Sequence, residues 1–225
     1  MDAQTKDISV YMKNVSLSYE KTILTDINLT IEKGEFVYLI GKTGAGKSTL
    51  LRSMYADVPI ESGEGKICGF DLKNISKRNI PLLRRKLGIV FQDMQLLNDR
   101  TVFNNLAFVL KATGNKDKNF IKERVMQCLE SVGLQDKAEV YPYNLSEGEM
   151  QRIVLARAIV NAPEMVIADE PTGNLDPITS EEIVKLLFKL NKENNTTVLM
   201  ATHDYLIIND FRSRVISCED GKIIE

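Results

Sequence analysis

The chain has 225 residues, with 29 Lys and Arg against 31 Asp and Glu, a formal net charge of −2 and a pI near 5.7. Hydrophobic residues make up 44% and charged residues 27%, a globular composition that excludes an intrinsically disordered, collagen-like or coiled-coil rod chain. The charge balance argues against a general nucleic-acid binder, so no nucleic-acid partner is expected. The longest apolar runs, such as Phe36–Ile40, span five residues, whereas a bilayer-spanning helix needs about 20.

Cys68, Cys128 and Cys218 are odd in number and widely spaced, and there is one histidine. That pattern does not fit a disulfide framework or a Cys/His zinc site. Three reduced, buried thiols in a cytosolic protein are expected, within one large domain over residues 1–225.

In chain order, Val15, Leu17 and Tyr19, then Ile27, Leu29 and Ile31, recur every second residue, as in strands with one covered face. Glu32–Glu35 reads as a turn. Phe36–Ile40 is continuously apolar, as in a strand covered on both sides, and a glycine-rich segment then opens a helix carrying Leu50, Leu51 and Met54. Leu87–Phe91 is a further short strand. Residues 93–160 read as helical. Phe120, Ile121, Val125, Met126, Leu129 and Val132 lie at helical spacing before a stop at Gly133. A second helix from Ser146 carries Met150, Ile153, Val154 and Ile159 and ends by Pro163. Met165–Ala168 and Val198–Ala201 return to strand pattern around a helix with Ile183, Leu186, Leu187 and Leu190. Arg214–Cys218 and Lys222–Ile224 form a hairpin around Asp220-Gly221. Buried strands alternating with helices predict an α/β fold with a mainly parallel sheet. The helical block interrupts that alternation, so the chain divides into about 1–92, an inserted helical subdomain at about 93–160, and the remaining core at 161–225.

Gly41-Lys42-Thr43-Gly44-Ala45-Gly46-Lys47-Ser48 fits the phosphate-loop (P-loop) pattern, and it lies between a buried strand and a helix, as the mechanism requires. Glycines let the backbone curl so that several N–H groups face an anion. The helix N-terminus, with Thr49 in its first turn, adds partial positive charge. Lys47 would reach the β- and γ-phosphates and the Ser48 hydroxyl would ligate magnesium. A magnesium ion beside phosphates needs a carboxylate. Met165–Glu170 supplies it, a buried strand ending in Asp169 and Glu170. Asp169 is placed to hold the metal, and Glu170 to orient or deprotonate an attacking water. His203 follows the strand that ends at Ala201. On position alone it is equally a ligand of the γ-phosphate or an ordinary loop residue.

Together these motifs, with others in the same order, resemble the nucleotide-binding subunits of ABC transporters over almost the whole length. Gln92 sits like the family's Q-loop. Leu145-Ser146-Glu147-Gly148-Glu149 sits where the signature motif belongs, Gly173-Asn174-Leu175-Asp176 looks like the D-loop, His203 like the switch histidine and Tyr19 like the residue that stacks on adenine. The resemblance implies a P-loop NTPase (RecA-like) core with an N-terminal antiparallel β-subdomain and an inserted α-helical subdomain. It implies ATP and Mg2+ as cofactors, and a homodimer on ATP binding that holds each ATP between one chain's P-loop and the other's signature segment. Closure drives an integral membrane partner, which places the protein at the cytoplasmic face of the membrane. In that picture Gln92 contacts magnesium, Ser146 and Gly148 reach the γ-phosphate across the dimer, Asp176 couples the two sites and His203 holds the γ-phosphate.

One position departs from the family. The usual signature has two glycines, and here the first is Glu147. Ser146-x-x-Glu149 also matches a capping box. An acid facing the γ-phosphate of the other chain weakens closure, whereas one facing solvent does not. The run from Ile80 to Asp93, continued through Leu96 to Val102, is similar to the cell-division members of the family, which work with a membrane protein to control cell-wall hydrolases. The lipoprotein-release and macrolide-export members share the stretch Ala168–Asp176 and remain the alternative, as does a nucleotide-gated scaffold with little turnover. A soluble DNA-repair or translation ATPase is disfavoured, because no long coiled-coil insert, second cassette or basic bias is present. Leu96, Leu97, Val102, Phe103 and Leu106 are expected either to contact the partner or to fill the helical subdomain's core.

Overall fold

A computed structural model of the protein describes residues 8–19 and 22–225. Residues 1–7, counted within the expected 1–92 segment, lie outside the described residues, as do 20 and 21. Two sheets organise the described residues. In the first, β1 (Ile8–Tyr19) pairs antiparallel with β2 (Thr22–Glu32) on one side and with β4 (Ser62–Ile67) on the other. The short β5 (Phe70–Asp71) completes the order β2-β1-β4-β5. The inward residues Val15, Leu17, Ile27 and Ile31 are fully buried, each contributing about 1.5–3 kcal/mol by leaving water.

The second sheet has the order β10-β9-β3-β8-β7-β6. β3 (Phe36–Ile40) runs parallel to both β8 (Thr197–Ala201) and β9 (Arg214–Glu219). β7 (Met165–Asp169) runs parallel to β8 and to β6 (Leu87–Val90). β10 (Lys222–Ile224) folds back on β9 through Asp220 and Gly221, both at positive φ (46° and 76°), the geometry a two-residue hairpin turn demands.

Layers on both faces explain why β3 is apolar throughout. Val37 and Leu39 join one core with the first sheet and α1 (Lys47–Met54), while Phe36 and Tyr38 join another with the helices. Those helices are α3 (Val102–Ala112), α4 (Lys118–Ser131), α5 (Glu147–Ile159) and α6 (Pro177–Asn194). Two short helices, α2 (Ile80–Arg85) and α7 (Tyr205–Asp210), lie before β6 and after β8.

One local expectation needs correction, one pair of open alternatives is resolved, and one stretch holds elements that the sequence pattern does not show. The helical block starts at Val102 rather than at residue 93, because Thr101 caps α3 by accepting from the Asn104 N–H. Val102 and Leu106 are fully buried, so they fill the core and are not partner contacts; Leu96 and Phe103 pack partly against that core. The segment between α1 and β6 carries β4, β5 and α2, none of which the periodicity reveals. β4 buries only Gly65 and Ile67, too few apolar residues to show alternation.

Candidate functional site

The carboxyl ends of β3, β7 and β8 converge, which is where parallel sheets bind ligands. Three loops meet there: the P-loop after β3, Glu170 after β7, and Thr202-His203 after β8. Gly44 and Gly46 adopt φ of 81° and 111°, a left-handed region open to glycine at little cost. Gly46 stands at the N-cap of α1 with no side chain to cap it, and no acid lies in the first turn. The first amides of α1 are therefore left for an anion.

Lys47 is 7% exposed. Its Nζ donates to the carbonyls of Gly41 (2.7 Å) and Lys42 (3.3 Å) and lies 3.7 Å from Glu170 Oε1. Glu170 is held at φ 50°, uncommon for a residue with a Cβ, and its N–H bonds the Ala201 carbonyl at 3.0 Å. That turn aims the carboxylate back over the loop, where Oε2 meets His203 Nδ1 at 2.5 Å. One carboxylate thus joins the lysine of one loop to the histidine of another.

Asp169 is set deeper. Its Oδ1 is buried with no hydrogen-bond partner among the described residues. Burial pushes its pKa up, the neighbouring Glu170 charge adds to this, and the Ser48 hydroxyl and Lys47 pull it down. An orphaned carboxylate oxygen beside a serine hydroxyl is a donor set suited to magnesium, which takes one or two protein oxygens and fills its remaining positions with phosphate and water. The residues present fit the ion.

A cleft of about 250 Å³ opens here, lined by Thr43, Gly44, Gly46, Lys47, Ser48, Thr49, Gln92, Glu170, Gly173 and His203. All but Gly173 are site residues singled out in the sequence, and Gly173 opens the run that resembles the D-loop. Gly41, Lys42 and Ala45 frame the loop from behind: the first two hold Lys47, and the Ala45 carbonyl accepts the buried Cys218 thiol at 3.0 Å. Asp169 lies beneath the lining.

Tyr19, Ser146, Gly148 and Asp176 are not among the cleft's lining residues. Tyr19 ends β1, with the Arg52 guanidinium 4.2 Å from its ring centroid. Ser146 caps α5 in a complete capping box with Glu149. Asp176 caps α6, accepting from the Ile178 and Thr179 N–H groups and the Thr179 hydroxyl. Thr179 also abuts Gly148, where a Cβ would come within 2.7 Å of its methyl. The heads of α5 and α6 are thereby joined, with Glu147 exposed beside them.

One functional candidate escaped sequence reasoning. Arg157 of α5 donates to the carbonyls of Met94 (2.7 Å) and Gln95 (2.5 Å), two successive residues at positive φ (46° and 49°). They follow Gln92 of the cleft, so α5 grips the loop that carries it. An arginine in a helix gives no sequence signal of such a role.

The chain matches the ABC transporter family over residues 24–173. The protein belongs to the ABC transporter family. It is an ABC-type ATPase, and its relatives agree. The "Cell division ATP-binding protein FtsE" of Streptococcus pneumoniae is 47% identical over 217 residues, covering 96% of this chain and 94% of the relative. The protein of the same name from Bacillus subtilis shows the same identity and coverage. A solved dimeric ATP-binding cassette in a post-hydrolysis state, bound to ADP and Pi, superposes with a TM-score of 0.86 at 34% identity, covering 96% of this chain and 97% of that one.

Proposed function

We propose that this ABC ATPase powers a cell-division complex of the FtsE–FtsX type, regulating cell-wall hydrolysis from the cytoplasmic face of the membrane as a peripheral subunit bound to an integral membrane, FtsX-like partner. The observation that carries the catalytic reading is the Lys47–Glu170–His203 arrangement over an uncapped, glycine-lined helix start. The cell-division reading is supported by the likeness to FtsE over nearly the full length of both chains.

The chemistry follows from the side chains. Arrival of a triphosphate gives the Lys47 ammonium an anionic partner, whose Coulombic attraction its two neutral carbonyl partners do not supply. The loop amides and Thr43, Ser48 and Thr49 surround the phosphates. Ser48, Asp169 and Gln92 would hold Mg2+, which neutralises charge on the phosphates when bound. Glu170 accepts the proton of a water as its oxygen attacks the γ-phosphorus and the bond to the β–γ bridging oxygen breaks. His203 orients Glu170 through Nδ1, and as the imidazolium, which has two donors, it also donates from Nε2 to the γ-phosphate. Tyr19 takes the adenine.

In a second copy, Ser146 and Gly148 complete the phosphate site, with Asp176 beside them signalling between sites; none of the three serves its own chain's cleft. The residues at about 93–160 act as the arm that carries this signature segment. Turnover is tested by phosphate release with and without the membrane partner: a stimulated rate that falls at least a hundredfold in Glu170→Gln, with nucleotide still bound, supports the motor. No turnover in any condition leaves the nucleotide-gated scaffold.

A further inference from the structure

We propose that Arg52 is a positioning residue for the nucleobase: fixed by Asp57 against one face of the Tyr19 ring, it turns Tyr19, Arg52 and Asp57 into a three-part platform whose opposite face takes a purine. The inference rests on the reading of Tyr19 as the base-stacking residue and adds to it the element that sets the ring's attitude.

Tyr19 is the last residue of β1, paired across the hairpin with Thr22. It is only partly covered, and a phenol at the end of a strand is free to turn about χ1 unless something holds it. Arg52 does so from below. It lies in the last turn of α1, three residues beyond Thr49 of the cleft and therefore on the same face of the helix. Its guanidinium carbon stands 4.2 Å from the ring centroid, well within cation–π range.

The arginine is itself held. Nε and Nη2 both reach Asp57 Oδ2, each at 2.7 Å. Asp57 is pinned in turn, because its backbone N–H donates to the Arg52 carbonyl at 3.0 Å. A chelated guanidinium is planar and always charged, so it presents a rigid surface to one ring face. A ring fixed in this way loses less freedom when a base stacks on it. The phosphates are gripped elsewhere, by the loop amides and Lys47. The platform's contribution is therefore confined to ligands that carry a base.

Titration calorimetry of the full chain with Mg-ATP and with Mg-tripolyphosphate separates these contributions. Tyr19→Ala tests the stacking reading alone: weaker ATP binding with unchanged tripolyphosphate binding supports it, and unchanged ATP binding removes both that reading and the platform. Arg52→Met keeps the side-chain stem and removes the charge. With Tyr19 intact it is expected to weaken ATP about three- to fivefold, in line with an exposed cation–π contact, and to leave tripolyphosphate unchanged. Asp57→Asn shifts ATP binding in the same direction by less. In a Tyr19→Ala background, Arg52→Met adds nothing further. Equal loss for both ligands, a persisting effect without Tyr19, or tighter ATP binding in Arg52→Met would each overturn the platform while leaving the stacking reading intact.

Discussion

Replacing Asp169 with asparagine is expected to make the nucleotide-free protein more stable while removing most of its stabilisation by Mg-ATP. Asp169 Oδ1 is buried and unpartnered among the described residues, and burial raises the carboxyl's pKa above its ordinary 3.8. A folded-state pKa above the unfolded one means that the ionised group opposes folding. The cost is absent well below the unfolded value of 3.8, where both states are protonated, grows as pH rises from that value towards the raised folded pKa, and is fully present above it. An unsatisfied buried acceptor costs about 1–3 kcal/mol. Ser48 and Lys47 relieve part of it, and the asparagine amide needs partners of its own, which leaves a net gain of about 1–2 kcal/mol for the variant. At about 2–4 °C per kcal/mol for a chain of this size, Tm rises by about 2–8 °C at pH 7.5, and the gain disappears well below pH 3.8. Saturating ligand reverses the order. At a hundredfold excess over Kd, binding stabilises the wild type by about 2.7 kcal/mol, whereas the variant lacks the carboxylate proposed to share the metal. Thermal melts at both pH values, with and without Mg-ATP, test the reasoning. A variant that melts below the wild type at pH 7.5 without ligand would refute it.

Glu147→Gly is expected to tighten ATP-dependent dimerisation. If the glutamate faces the γ-phosphate of the other chain at about 6 Å, repulsion at an effective dielectric near 20 is on the order of 3 kcal/mol, or about a hundredfold in affinity; pointing to solvent, it costs close to nothing. Sedimentation showing equal dimerisation of the two proteins would count against this. Gly148→Ala places a Cβ 2.7 Å from the Thr179 methyl and should cost about 1–3 kcal/mol by overpacking in urea unfolding. Thr179→Ser, which removes that methyl, should restore most of the loss; no restoration means the clash lies elsewhere. Arg157→Ala should free residues 94–95 from their positive-φ conformation and raise amide exchange at about 92–97, with Arg157→Lys intermediate. Exchange that stays at the wild-type rate would show that the arginine does not hold this loop.

Much of the site was legible because its signals are local. Gly44, Gly46, Lys47 and Ser48 fall within one turn between a strand and a helix, Ser146 and Glu149 lie three residues apart in a capping box, and Asp220-Gly221 sits inside a hairpin. In each case the geometry depends on φ angles and hydrogen bonds spanning a few residues, which residue type governs directly. The apolar run Phe36–Ile40 likewise announced a strand covered on both faces, and the run Met165–Ala168 placed the two acids at a strand end.

Only the tertiary structure decided which distant groups meet. Parallel strands need long crossovers, so loops adjacent in the sheet are far apart in the chain: His203 and Glu170 are 33 residues apart, Arg157 and Gln95 62, Cys218 and Ala45 173. Packing also assigned Val102 and Leu106 to the core, a choice that depends on which helices cover them rather than on their own hydrophobicity. The isolation of Asp169 Oδ1 is of the same kind, since desolvation belongs to a residue's surroundings. Sequence alone thus named most of the candidate groups of this ATPase, and the folded sheet determined which of them touch and at what electrostatic cost.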